Sequence, residues 1–269
     1  MFLKDCKIIS NVNVALNYFI LTVENREAVE KVRAGQFFML KCKNEATFLR
    51  RPISLHNCDP LNGTLEFLYE VKGKGTLEFS KLSSDETINI QGPLGNGFNV
   101  EEKNKNIAIV GGGMGMAPLK LLIKNLNLNN NVKLFLGVHS KEYINVLKSF
   151  ETVIEKENIH IASDDGSIGV KGNVVAIFKE ELERSKFDKI YSCGPEKMLE
   201  ALHEVAVNNN ILLDISLEER MACGVKACVG CSIKTKEGMK KICYDGPVFS
   251  SSKIIELHPK EKVENSCCN

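Results

Sequence analysis

The chain reads as a multidomain β plus α/β protein, and three observations carry that reading. Its 269 residues exceed the roughly 100–200 of one domain, leaving room for two domains and a small third. Short strands with turn signals give way, near residue 98, to alternating strands and helices. Cysteines, ten in all, crowd toward the C-terminal end.

Residues 1–98 carry strand patterns at Lys7–Val14, Tyr18–Val23, Phe37–Lys41, Thr64–Val71 and Thr87–Gln91. Gly35, Asn62-Gly63 and Gly92-Pro93 punctuate them, so a small antiparallel β-barrel is expected. Residues 99–215 change rhythm. Ile107–Val110 is a short buried strand before a glycine loop, and Pro118–Asn125 is the helix after it. Val132–Val138 is the next strand, and Tyr143, Leu147, Phe150 and Ile154 then recur at helical spacing. Ile159–Ala162, a helix near Asn173–Leu182, Lys189–Ser192 and a helix from Glu196 to about Val207 complete a βαβ series. That series predicts a parallel sheet with helices on both faces. From 216 to 269 the patterning fades into a cysteine-rich domain, and Cys267 and Cys268 fall in a polar tail expected to be mobile.

Composition excludes several classes. Hydrophobic residues at 43% and charged residues at 26% are those of a soluble globular chain. Thirty-five Lys and Arg against 34 Asp and Glu leave a net charge of +1, with no electrostatic footprint for nucleic acid or an anionic membrane. The longest apolar stretch, Ile107–Leu119, is too short to span a bilayer. The start, Met1-Phe-Leu-Lys-Asp-Cys, lacks a basic region ahead of an apolar core, so no secretory signal and a cytoplasmic location are expected. Clustered cysteines in that compartment point to metal or redox chemistry.

Cys223, Cys228 and Cys231 stand within one short loop, and Cys243 follows. C-x4-C-x2-C…C is the ferredoxin spacing for a [2Fe–2S] cluster. Gly224, Ala227 and Gly230 are small enough to let backbone amides approach the sulfurs. A zinc knuckle needs paired C-x2-C turns, which only Cys228–Cys231 supplies, and a disulfide set does not suit the compartment. Lys226 departs from the glycine expected in such a loop, and its charge either raises a cluster's potential or points to solvent.

Two further signatures lie upstream. Arg50-Arg51-Pro52-Ile53-Ser54 on an extended strand sets a guanidinium toward a pyrophosphate and a hydroxyl toward a flavin ring nitrogen. Leu68-Tyr69-Glu70 runs into Gly73-Lys-Gly75-Thr76, where a helix starting near Thr76 offers free amides to phosphate. Each motif alone also fits a strand edge or a capped turn. Gly111-Gly-Gly113-Met-Gly115-Met-Ala-Pro118 follows a buried strand and opens a helix, the setting of a dinucleotide pyrophosphate site. It is not the usual G-x-G-x-x-G, and His139-Ser140-Lys141 stands where an acidic residue is usual. Cys193-Gly194-Pro195 ends a later strand, where ligands of open α/β sheets bind, and Cys193 is a candidate to face a nicotinamide.

On Arg51-Pro-Ile-Ser54, Gly73-Lys-Gly-Thr76, Gly113–Pro118, Ser163-Asp-Asp-Gly-Ser167 and Cys193-Gly-Pro195, the chain resembles the ferredoxin–NAD(P)H reductase superfamily. The cysteine segment ending in Asp245-Gly-Pro-Val-Phe249 narrows the likeness to the electron-transfer subunits of type B dihydroorotate dehydrogenase. That resemblance implies a FAD-binding barrel at 1–98, a NAD-binding domain at 99–215 and a [2Fe–2S] domain at 216–269. It implies that Arg51, Pro52, Ile53, Ser54, Leu68, Tyr69, Glu70, Gly75 and Thr76 hold FAD. Gly111, Gly113, Gly115, Cys193, Gly194 and Pro195 then serve NAD, and Cys223, Cys228, Cys231 and Cys243 ligate the cluster. The implied partner is the FMN-containing catalytic subunit of dihydroorotate dehydrogenase, in a two-plus-two heterotetramer serving pyrimidine biosynthesis. No residue set here suggests a base for a carbon substrate, since His56, His139, His160, His203 and His258 are scattered, so the chain is expected to act as a conduit. Two alternatives stay open: a reductase subunit of a bifurcating ferredoxin:NADP oxidoreductase or sulfhydrogenase type, and a zinc-stabilised nucleotide-binding regulator. NADP in place of NAD also stays open, since Ser140 and Lys141 suit a 2′-phosphate.

Overall fold

A computed structural model describes residues 1–43 and 47–254 and arranges them around two seven-stranded sheets. Cys267, Cys268 and His258 lie outside the described residues.

The first sheet is antiparallel throughout. β1 (Phe2–Ala15) and β2 (Tyr18–Glu24) form a hairpin around Asn17, and Asn25 caps the short α1 (Arg26–Val29) by accepting from the Ala28 N–H at 3.0 Å. β3 (Phe37–Leu40), β4 (Arg51–Ser54), β5 (Asn57–Asp59) and β6 (Thr64–Glu70) precede α2 (Lys74–Phe79) and β7 (Thr87–Leu94). The strand order is β4-β3-β7-β1-β2-β6-β5, and the sheet curls until β4 meets β6, giving a half-barrel. Ile8, Leu21, Phe38, Leu65, Phe67 and Phe79 fill it, each with no exposed surface. Burying a side chain of this size contributes about 1.5–3 kcal/mol.

Gly92-Pro93 does not end a strand as the sequence suggests; β7 runs through it to Leu94. The proline is tolerated because pairing with β3 slips there, Phe37 opposing Leu94 and Met39 opposing Gln91, so no ladder donor is needed from Pro93.

The second sheet begins with β8 (Asn106–Gly112), buried from Ile107 onward as a strand covered on both faces must be. A 3-10 turn, Gly113–Met116, leads to α3 (Leu119–Leu126), then β9 (Asn131–Val138) and α4 (Ile144–Phe150). The helix stops at Phe150 and does not extend to Ile154, because Thr152-Val153-Ile154 is a β-branched run that strains helical rotamers. β10 (Ile159–Ser163), α5 (Val174–Leu182), β12 (Lys189–Cys193) and α6 (Glu196–Asn208) follow the expected rhythm, with the unexpected two-residue β11 (Val170–Lys171) between β10 and α5. β13 (Leu212–Ser216) is a strand the sequence reading did not assign.

The C-terminal segment is more regular than its sequence suggests. β14 (Ser232–Thr235) and β15 (Gly238–Lys241) form a hairpin, α7 (Ile242–Asp245) follows, and β16 (Val248–Ser250) pairs antiparallel with β13. These elements are three or four residues long, too short to show a period. The order of the second sheet is β11-β10-β9-β8-β12-β13-β16. The chain moves outward from β8 in one direction and returns to β12 on the other side, so the crevice beyond β8 and β12 is the topological switch point where ligands bind.

The two sheets meet at α3. The buried His56 donates from Nδ1 to the Ala117 carbonyl at 2.8 Å, and the Leu121 N–H donates to the His56 carbonyl at 3.0 Å. Lys120 pairs with Glu66 at 3.5 Å, and Lys124 Nζ donates to Cys58 O at 3.1 Å. Among the described residues no helix is long and apolar enough to cross a membrane.

Candidate functional site

β4 and β6 bring two of the sequence motifs to one cavity of about 230 Å³. Pro52, Ile53 and Ser54 line it from β4; Leu68, Tyr69 and Glu70 line it from β6, and Thr76 from α2. Tyr69 is fixed behind it, stacked on Phe19 at 5.7 Å between ring centroids and donating from its hydroxyl to Asn11 Oδ1 at 3.1 Å. The Thr76 hydroxyl accepts from the N–H groups of Lys72 and Gly73 at 3.0 and 3.3 Å, so the turn into α2 is closed by its own side chain. Gly75 lies under the Arg51 guanidinium, where a Cβ would stand 2.5 Å from Nε. Arg51 also donates to Leu49 O and faces a groove shared with Arg220 and Met221. A cation seated at the first turn of a helix suits a pyrophosphate, so these residues fit the diphosphate and ring system of FAD.

The switch-point crevice holds the glycine loop and the Cys193-Gly-Pro turn together. A Cβ at Gly115 would collide with the Cys193 carbonyl, and one at Gly112 would meet Met198 Sδ at 2.7 Å and Pro195 Cδ at 3.0 Å. Gly113, at φ +53°, has open space before it. One cleft, of about 630 Å³, runs from Gly112 and Gly113 past His139 and Tyr143 to Asp164. A smaller one takes in Gly112, Gly115, Gly194, Pro195 and Glu218. His139 Nδ1 lies 3.0 Å from Asp164 Oδ2, and that carboxylate pushes the imidazole pKa above its ordinary value. This crevice fits an extended dinucleotide. Gly111 is placed elsewhere, inside β8 beneath Leu119 and Leu136, where a Cβ would meet them at 2.7 and 2.9 Å. Cys193 is fully buried; burial and the nearby Glu218 push its thiol pKa well up while the Ser216 side chain bonds it.

The four loop cysteines fall into two pairs. The Cys228 and Cys223 sulfurs are 3.3 Å apart, and the free thiols of Cys231 and Cys243 are hydrogen-bonded to each other. Two thiolates per iron is what a [2Fe–2S] core takes, and among the described residues no three candidate ligands converge on a single metal ion. Backbone amides point at the sulfurs: Val225 and Cys228 N–H to Cys223 Sγ, and Lys226 N–H to Cys243 Sγ, each at 3.4 Å. As free thiols Cys223 and Cys243 differ. Burial raises Cys223, but the Cys228 and Val225 amides outweigh it and bring the pKa down to about 7; burial and then Cys231 push Cys243 up to about 11. The donor set fits the cluster.

Lys72, Met114, Leu217, Glu218 and Glu219 line both the flavin-type cavity and the smaller crevice. Sequence reading missed this shared wall, which three distant segments build. The one signal was the Glu218-Glu219 pair standing directly ahead of the cysteine loop.

Comparison with known proteins agrees with this geometry. Residues 218–255 match the family model for the iron-sulfur cluster binding domain of dihydroorotate dehydrogenase B, residues 5–98 that for an oxidoreductase FAD-binding domain, and residues 109–204 that for an oxidoreductase NAD-binding domain. The electron transfer subunit of dihydroorotate dehydrogenase B (NAD(+)) from Clostridium acetobutylicum is 39% identical over 251 residues, covering 93% of this chain and 96% of that one. Its counterpart in Caldanaerobacter subterraneus subsp. tengcongensis is 36% identical over 253 residues, covering 93% and 97%. A solved chain of the NADH-dependent reduced ferredoxin-NADP oxidoreductase superposes with a TM-score of 0.82 at 28% identity, covering 93% of this chain and 89% of that one.

Proposed function

The chain belongs to the electron-transfer subunits of type B dihydroorotate dehydrogenase, and from that membership we propose that it passes electrons from the FMN of a catalytic subunit to NAD+. Bound FAD supplies the exchange between the one-electron chemistry of an iron–sulfur cluster and the two-electron hydride chemistry of NAD. The chain's own residues place these groups. Arg51, held over Gly75, takes the flavin diphosphate, while Pro52, Ile53, Ser54, Leu68, Tyr69, Glu70 and Thr76 shape the ring cavity. Gly113, Gly115, Gly194 and Pro195 give the nicotinamide nucleotide its close approach. Cys223, Cys228, Cys231 and Cys243 hold [2Fe–2S].

One observation carries the reading: the cysteine loop is packed against the flavin cavity. Gly224 lies against Met39 and Leu94, a Cβ there standing 2.8 Å from Met39 Cγ, and Met221 and Pro247 line the cavity itself. With Glu218 and Glu219 common to cavity and crevice, the three sites are contiguous.

The assembly we infer is a two-plus-two heterotetramer, with dihydroorotate oxidised to orotate on the partner. Co-expression with an FMN-containing catalytic subunit, gel filtration and a dihydroorotate:NAD assay test it. Complex formation with NADH production is the expected result. Co-purification with a different dehydrogenase or hydrogenase subunit, without orotate formation, would leave electron transfer standing and remove dihydroorotate.

A further inference from the structure

We propose that Lys226 sets the reduction potential of the cluster, holding it above the value a glycine at this position would give. The inference rests on the reading that the four loop cysteines carry [2Fe–2S]. Lys226 has φ +66°, a conformation glycine enters freely and lysine does not. That conformation accompanies the aim of the Lys226 N–H at Cys243 Sγ, 3.4 Å away, a bond glycine would make equally well. The backbone therefore gives no reason for a lysine. Its side chain is nonetheless held in place: Nζ lies 3.7 Å from the centroid of the Tyr244 ring, and Tyr244 directly follows Cys243. Lys241 Nζ steadies the same residue by donating to the Lys226 carbonyl at 3.0 Å. An ammonium held over α7, the short helix that carries the ligand Cys243, stabilises the extra negative charge of the reduced cluster, and charge near a cluster is one of the levers on its potential. Lys226 thus carries a backbone cost that glycine would avoid, and what it adds at this position is a charge.

Glycine is the informative replacement, since it removes the charge and keeps the amide bond to sulfur. The full chain, purified with its cluster, is titrated with dithionite and redox mediators, one electron per cluster, and the reduced cluster is followed by EPR. At the parent midpoint, Lys226→Gly and Lys226→Met should each lower the ratio of reduced to oxidised cluster by about threefold, the scale of one partly screened unit charge. Lys226→Arg should titrate with the parent. Parent-like midpoints in both neutral variants overturn the proposal. So does loss of the cluster in Lys226→Gly, which would make the side chain a fastener of the loop. A parent protein with no [2Fe–2S] signal overturns the cluster reading itself, and is thereby distinguished from a failure at Lys226.

Discussion

Gly75 lies against the guanidinium of Arg51, so closely that a methyl group added to the glycine would stand 2.5 Å from Nε and 2.9 Å from Cζ. The contact joins two motifs that look independent in the sequence, the Arg-Pro-Ile-Ser strand and the Gly-Lys-Gly-Thr turn. Arg51→Ala should weaken FAD binding by roughly 2–3 kcal/mol, the range for losing a charge-assisted contact. Gly75→Ala should weaken it by displacing Arg51, and should add little once Arg51 is gone. Flavin retention on gel filtration and a fluorescence titration of the two single variants and the double variant measure this. Parent-level affinity in Arg51→Ala would refute the assignment.

The cluster and flavin sites belong to different elements, so they should fail separately. Cys228→Ala takes one sulfur from the Cys223 pair and should abolish the [2Fe–2S] EPR signal while FAD stays bound. An unchanged reduced-state spectrum would take Cys228 out of the ligand set.

Gly115→Ala should act on the nucleotide side alone. The new methyl would meet the Cys193 carbonyl and the Gly194 Cα, backbone atoms that cannot turn aside. We expect about 1–3 kcal/mol of lost stability from overpacking. NADH affinity should fall by at least about tenfold, the effect of roughly 1.4 kcal/mol. Denaturant unfolding and NADH titration read the two effects, and parent-like values in both would show the loop to be slack.

His56 should make the protein sensitive to acid. Burial, and then the charge of Lys120, press its pKa down to about 3 in the folded chain, against an ordinary value near 6.5. Between those values the unfolded chain binds a proton that the folded chain refuses, so stability falls as pH falls through this window. Going from pH 7 to 4.5 should cost roughly 2–3 kcal/mol through this residue, as an upper bound. Urea unfolding at the two pH values should show a smaller drop in His56→Asn, and an identical drop would contradict the account.

What the sequence disclosed follows a physical rule. Cysteine spacing, the Gly111–Pro118 loop and the βαβ rhythm were legible because a local stretch of chain dictates each of them. The glycine expected at residue 226 has its physical reason in the structure, where Lys226 takes the left-handed backbone that glycine favours. The pairing of β16 with β13 was not, since strands of three and five residues carry little pattern and their partnership is decided by tertiary packing. The same holds for the wall of Lys72, Met114, Leu217, Glu218 and Glu219, which exists only after the two sheets have docked. Gly111 shows the converse: a glycine in the right motif is there to let Leu119 and Leu136 close over β8.

The stitching of the cysteine segment has a kinetic meaning. Asn96, from the loop after β7, donates its backbone N–H to Gly246 O at 2.6 Å and its side-chain amide to the carbonyls of Tyr244 and Asp245 at 2.9 and 3.1 Å. Leu217 N–H donates to Pro247 O at 2.9 Å, and β16 adds its ladder to β13. Bonded in this way to β13 and to the loop after β7, α7 and β16 are anchored to both neighbouring sheets and not tethered as a free shuttle. The gap an electron must cross between cluster and flavin is then a constant of the fold, and the internal transfer rate should be indifferent to solvent viscosity.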